Sequence, residues 1–221
     1  MATLVRIRRH GEARRAYAAY ARRMNEVGVV PAPFDRSGAA AAPEAAAERL
    51  LATVLFTDIV DSTAHVLSIG DRSWRDRLDL HDAMVRHELA RHHGREIKTM
   101  GDGVLATFDS PARAIACATA VREAVRTLGL DIRCGLHTGE VELRGEDIGG
   151  LAVHIAARIC RLASPGEVLI SRTVRDLLGG SGVTTADRGL HALAGLPDQW
   201  QLYAVASQHA LPQPPLVSER T

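Results

Sequence analysis

The sequence is short of net charge, long apolar runs and cysteine, and each shortage excludes something. Its 221 residues carry a formal net charge of only +1, so no global field draws the chain toward nucleic acid or an anionic membrane. No stretch approaches the roughly 18 apolar residues of a membrane-spanning helix. The opening MATLVRIRRHGEARR has no apolar core of the kind a secretory signal needs. These absences point to a cytoplasmic setting with neither nucleic acid nor membrane as partner. The three cysteines, Cys117, Cys134 and Cys160, are odd in number, form no C-x-x-C and fall in apolar periodic segments. That pattern suits buried, reduced thiols better than a disulfide framework or a zinc site.

What is present divides into three regions. Residues 1–47 read as an extension: a basic helical stretch from Glu12 to Val27, a stop at Gly28, the breaker VVPAPFDRS and an Ala-rich linker. Arg14, Arg15, Arg22 and Arg23 are the charged face of that stretch, because Tyr17, Tyr20 and Met24 recur at helical spacing. The segment EARRAYAAYARRMNEVGVVPAPF also resembles the closing part of tetratricopeptide-like bacterial transcriptional activation domains. Residues 207–221, rich in Pro, Ser and Gln, have the composition of a disordered tail. Residues 48–206 are left as one substantial domain.

Strands and helices alternate through that domain. LATVLFT (51–57) is a continuous apolar run of strand length, with Asp58 at its end. A helix is expected from Ser73 to His93, with Trp74, Leu78, Met84, Val85 and Leu89 on one face. EIKTMGDGVLATF (96–108) reads as a hairpin. Ser110-Pro111 opens a second long helix that runs to Gly129 and turns Ile115, Ala118, Val121 and Val125 inward. IRCGLHTGEVEL (132–143) reads as a strand, a turn at Gly139 and its continuation. A helix over 150–162, the strand EVLIS, a short helix RTVRDLL and a closing strand QWQLYAV follow. The order gives an α+β fold with a βαββαβ core of the ferredoxin-like, polymerase-palm kind, plus further strands and helices at the C-terminal end. Two long helices cover one face of such a sheet; the other face is expected to be solvated or packed on a partner.

Two acids stand where that core brings strand ends together. The first strand lies between or beside the hairpin strands, so Asp58 and Asp102 converge at one edge. Paired carboxylates with no His or Cys nearby favour hard cations such as Mg²⁺ or Mn²⁺. Gly101 and Gly103 let the turn approach an ion closely. After Asp58, the stretch IVDSTAH places Val60, Asp61, Ser62 and Thr63 at a strand-to-helix turn, where backbone N–H groups can form an anion nest or the side chains can simply cap the helix.

The segments LFTDIVDST, KTMGDGVLATF, RCGLHTGEV and EDIGGLAVHIAARI, taken together, resemble the class III nucleotide cyclase catalytic domain over about residues 50–206. The resemblance implies an adenylyl cyclase that converts ATP to 3′,5′-cyclic AMP and pyrophosphate. It implies two divalent cations, Mg²⁺ or Mn²⁺, held by Asp58, Asp102 and the backbone carbonyl of Ile59. Lys98 and Asp147 match the two residues that select the base, and in the family they reach the site from the opposite subunit of a homodimer. Arg158 matches the arginine at the reacting phosphate. His154 stands where Asn is usual, and Ala194 where a Lys commonly binds the terminal phosphates; Arg144 or Arg188 could substitute. These two departures motivate the alternative of a nucleotide-binding regulatory module with weak or no turnover. A plain Lys98–Asp147 salt bridge without a ligand is the structural reading of that pair, and His137 reads as a structural strand residue.

The base follows from hydrogen-bond polarity. Adenine offers an acceptor at N1 and a donor at its amino group, which suits a donor-only Lys and an acceptor-only Asp. Guanine reverses both atoms and would leave two polar groups mismatched, at about 1–3 kcal/mol each.

Overall fold

The computed structural model describes residues 48–206. The N-terminal helix and linker expected before residue 48 and the tail expected after 206 lie outside the described residues.

The domain is an α+β sandwich built on an eight-stranded sheet of order β2-β3-β1-β4-β6-β8-β7, with β5 pairing off β4. Its strands are β1 (Arg49–Ile59), β2 (Arg95–Met100), β3 (Gly103–Phe108), β4 (Ile132–Arg144), β5 (Asp147–Gly149), β6 (Val168–Ser171), β7 (Thr185–Ala192) and β8 (Gln199–Val205). The helices are α1 (Ser62–Ile69), α2 (Asp71–Arg91), α3 (Pro111–Arg126), α4 (Leu151–Leu162) and α5 (Arg172–Asp176). Strands β4-β1-β3-β2 with α2 and α3 are the expected βαββαβ core. The central strand β1 runs antiparallel to both of its neighbours, β3 and β4, and is therefore beside the hairpin rather than inside it.

The run of apolar residues in β1 exists because both faces of the strand are covered. Leu55 and Ile59 join α2 and α3 in one core with Trp74, Val85, Leu89, Ile115, Ala118, Val121 and Val125. Val54 and Phe56 point the other way, against Ala152, Ala156 and Cys160 of α4 and Ile148 of β5. This corrects the expectation that the second face needs solvent or a partner: the chain's own fourth helix packs there. Further along the same sheet, α4 meets β6 and β8 through Ile155, Ile159, Leu169 and Leu202.

Local signals account for much of the rest. Ser110 caps α3, its hydroxyl accepting from the Arg113 N–H at 3.5 Å, with Pro111 in the first turn. All three cysteines are buried and free. Met84, expected on the inner face of α2, is not part of the core, whereas His81 and Glu88 are buried there. No turn occurs at Gly139; β4 continues through it, opposite Ala52 of β1. A Cβ at that glycine would press on Ala152 of α4 at 3.0 Å, so the residue serves the helix–sheet contact instead of a bend. No helix among the described residues is long and apolar enough to cross a membrane.

Candidate active site

The first group of site residues sits where β1, the β2–β3 hairpin and β4 end together. The hairpin turn is Gly101-Asp102, and Gly101 adopts φ +71°, a conformation that side chains resist. Gly103 matters for space: a Cβ there would lie 2.5 Å from the Thr57 carbonyl oxygen. The hairpin is further tied to β1 by Val104, whose N–H donates to Thr57 Oγ1 at 3.2 Å. Backbone fit thus seats the acid-bearing turn against the end of the strand that carries Asp58.

Asp58 has a cross-strand neighbour that its own segment gives no hint of. Arg133 is its register partner on β4, and the Arg133 Nε donates to Asp58 Oδ2 at 2.7 Å, with both side chains about one-third exposed. The guanidinium neutralises the carboxylate where a cation would otherwise do so. No group of three or more His, Cys, Asp or Glu side chains is placed to hold a metal ion by itself among the described residues. The available donors are two carboxylates and, at buried Ile59, a backbone carbonyl. That all-oxygen set fits a small, hard divalent cation that takes its remaining ligands from water and phosphate.

The turn after β1 departs from simple capping. Asp61 lies in the left-handed region at φ 54°, and its side chain makes no capping bond to α1. Val60 donates its N–H to the Asp131 carbonyl at 2.9 Å, and the bond from the His65 N–H to the Asp61 carbonyl, 3.1 Å, is the first of the helix. The N–H groups of Ser62 and Thr63 precede that bond and have no partner inside the helix, as an anion nest requires. His65 stacks on Trp74 at 5.7 Å between ring centroids and so holds α1 against α2.

A second group forms where β2 meets β5. Lys98 follows a bulge in β2, and Asp147 opens β5. Lys98 Nζ donates to Asp147 Oδ2 at 2.6 Å, while Oδ1 of the same carboxylate accepts from the Ile148 N–H at 2.8 Å. The Lys98 hydrogen bond, aided by that backbone N–H, holds the Asp147 carboxyl below its ordinary range. Both side chains are close to half exposed, so the pair contributes little to stability by itself.

The third group lies along α4. His154 and Arg158 line a pocket of about 410 Å³ together with Ala194, on the connection between β7 and β8. Arg158 donates through Nε to the Ala194 carbonyl and through Nη1 to the His154 carbonyl at 3.2 Å. The expected stand-ins for a lysine are both occupied elsewhere, Arg144 with Glu142 at 2.8 Å and Arg188 with Glu167 at 3.0 Å. His137 is buried, with Nδ1 2.8 Å from Ser171 Oγ and Trp200 packed edge-on. Burial pushes its pKa down to about 4, which leaves it a neutral structural residue. No hydrogen bond or ion pair joins the three groups to one another among the described residues.

Comparison with known proteins converges on one family. The adenylate and guanylate cyclase catalytic domain family matches residues 46–207. A putative adenylate cyclase 3 of Rhizobium meliloti is 29% identical over 136 residues, covering 58% of this chain and 23% of that protein. An uncharacterized protein of Mycobacterium tuberculosis is 32% identical over 150 residues, 66% of this chain and 52% of its own length. The chain therefore spans about a quarter to a half of these curated relatives. Among solved structures, the adenylyl cyclase CyaB from P. aeruginosa superimposes with a TM-score of 0.67 at 23% identity, over 72% of this chain and 95% of that one. The guanylyl cyclase Cya2 gives 0.62 at 24% identity, over 72% and 93%. These two share the fold while differing in the nucleotide named for them. With the family match spanning all the described residues, the chain belongs to the class III adenylate and guanylate cyclase catalytic domain family.

Proposed function

We propose that the chain is an adenylyl cyclase, converting ATP to 3′,5′-cyclic AMP and pyrophosphate at sites shared between the two chains of a homodimer. The observation that carries this reading is the Lys98–Asp147 pair. A donor-only and an acceptor-only side chain, 2.6 Å apart and accessible, match the N1 and amino edge of adenine and oppose that of guanine. On binding, the base takes over the partners that the two side chains give each other in the free protein.

The remaining groups have roles that follow from their chemistry. Asp58, Asp102 and the Ile59 carbonyl would hold two divalent cations, Mg²⁺ or Mn²⁺, which when bound lower the pKa of the ribose 3′-hydroxyl and polarise the phosphates. Arg133, freed from Asp58, keeps a cation beside the phosphates. The N–H groups of Ser62 and Thr63, with Val60 and Asp61 shaping the turn, receive phosphate oxygens. Arg158 turns its planar fork to the α-phosphorus, where charge develops during in-line attack, and His154 donates to the ribose or the leaving group. Asp58, Asp102 and Arg133 come from one chain, and Lys98, Asp147, His154 and Arg158 from the other.

One observation favours a second reading, a regulatory module that binds nucleotide with weak or no turnover: Ala194 offers no charge where the terminal phosphates are expected. Incubating purified protein with ATP or GTP and Mn²⁺ and measuring cyclic nucleotide separates the two. Cyclic AMP with little cyclic GMP supports the cyclase. Tight ATP binding without product supports the module, and a preference for GTP overturns the assignment of the base pair.

A further inference from the structure

The pocket beside α4 has a lining with no carboxylate in it. Its charged side chains are Arg158 and Arg161, and His154 lines it as well. These three residues are spaced four and three apart on one helix and so share a face. A concave site with two guanidinium groups and no acid is built for a polyanion.

The two arginines are not equivalent. Arg158 is tied to the carbonyls of Ala194 and His154. Arg161 is exposed and makes no ion pair or hydrogen bond among the described residues. Across the pocket, Ala194 contributes only a methyl group and a carbonyl already bonded to Arg158. Arg144 and Arg188 are held by Glu142 and Glu167. Within this pocket, the cation free to take a new anionic partner is therefore Arg161.

We infer that Arg161 binds the terminal phosphates of the nucleoside triphosphate, supplying from the last turn of α4 the charge that position 194 lacks. The inference rests on the cyclase reading of the site and deepens it. Arg158 serves the reacting phosphate, and Arg161, one turn further along the same face, serves the phosphates that leave as pyrophosphate. A residue that only complemented the negative end of the α4 dipole would affect stability and leave binding untouched.

The test uses the full chain and compares inorganic tripolyphosphate, which cannot be cyclised, with AMP, which lacks the β- and γ-phosphates. Arg161→Gln is expected to weaken tripolyphosphate binding, and to raise the KM for ATP, by about tenfold or more, as loss of a charge-assisted bond implies. AMP binding and the melting temperature should stay at their wild-type values. Ala194→Lys in the Arg161→Gln background should restore tripolyphosphate binding from the opposite wall of the pocket. Unchanged tripolyphosphate affinity in Arg161→Gln, alongside a wild-type protein that makes cyclic AMP, overturns the role of Arg161 and spares the cyclase reading. A wild-type protein that binds neither ATP nor tripolyphosphate overturns both.

Discussion

The edge that carries Asp58 and Asp102 and the pair formed by Lys98 and Asp147 are built in opposite ways. The first is set by backbone. Its acids stand at strand ends, the turn is fitted against Thr57 through a glycine that tolerates no Cβ, and Arg133 is locked by register. The second is set by side chains. Lys98 follows a bulge, Asp147 begins a three-residue strand, and two half-exposed groups meet by reach alone. On the proposed cyclase reading, chemistry common to every substrate would be written into the sheet, while the choice of base would sit on side chains that can be exchanged without disturbing it.

That contrast can be broken most sharply at the turn. Asp102→Ala should reduce cyclic AMP formation to background while leaving the melting temperature within a degree or two, because an accessible hairpin carboxylate adds little stability. Near-normal divalent-cation-dependent turnover in this variant would show that the edge does not hold the ions. Division of the two regions between chains is the next largest effect. Asp58→Ala and Lys98→Ala should each be nearly inactive, yet mixing equal amounts should recover about a quarter of wild-type activity, since half the dimers are mixed and each keeps one whole site of two. No recovery despite demonstrated subunit exchange would mean that the site is built within one chain or that the two sites do not work independently.

A base-side substitution should be gentler. Lys98→Glu with Asp147→Cys should erode the preference for ATP over GTP by about tenfold or more, because Glu can accept from guanine N1–H, and should leave the fold unchanged. Full retention of ATP selectivity would remove these two residues from base recognition. By contrast, Gly103→Ala, a single methyl in the backbone-built region, should cost about 1–3 kcal/mol of stability through overpacking, read as a lowered denaturant midpoint. An unaffected midpoint would mean that the hairpin can move away from β1.

The smallest effect is a slope against pH. Burial lowers the pKa of neutral His137 in the folded chain from its ordinary 6.5 to about 4. The unfolded chain therefore binds the proton first as pH falls. Stability from this residue is complete above 6.5 and is lost progressively down to about 4. His137→Gln should flatten that part of the stability curve, and an identical slope in wild type and variant would assign it to other groups.

Legibility in the sequence follows the same division. The core was readable where a local pattern decides the structure: the apolar run of β1, the Ser-Pro start of α3, the glycine-flanked turn at Asp102. It was unreadable where register decides. Arg133 stands 75 positions from Asp58 in sequence, and only the β1–β4 pairing makes them neighbours. The strand β5 is too short to show a period, and β7 is an edge strand with polar residues and a bulge between Asp187 and Gly189, which hides its alternation. Gly139 looked like a turn because glycine requirements for bending and for close packing are indistinguishable without the helix that packs on it.

On the proposed reading, in which Asp58 holds divalent cations, its ion pair with Arg133 would also make the resting site a coincidence detector. A bare divalent ion would there have to evict a guanidinium from its carboxylate and strand it beside a new positive charge. An ion arriving already chelated by phosphates brings a replacement partner for that guanidinium. Free Mn²⁺ should accordingly titrate the protein weakly and the Mn²⁺–nucleotide chelate strongly, with Arg133→Ala narrowing the gap by tightening the first and weakening the second. Equal affinities for ion and chelate in the wild-type protein would show that the pair exerts no such control.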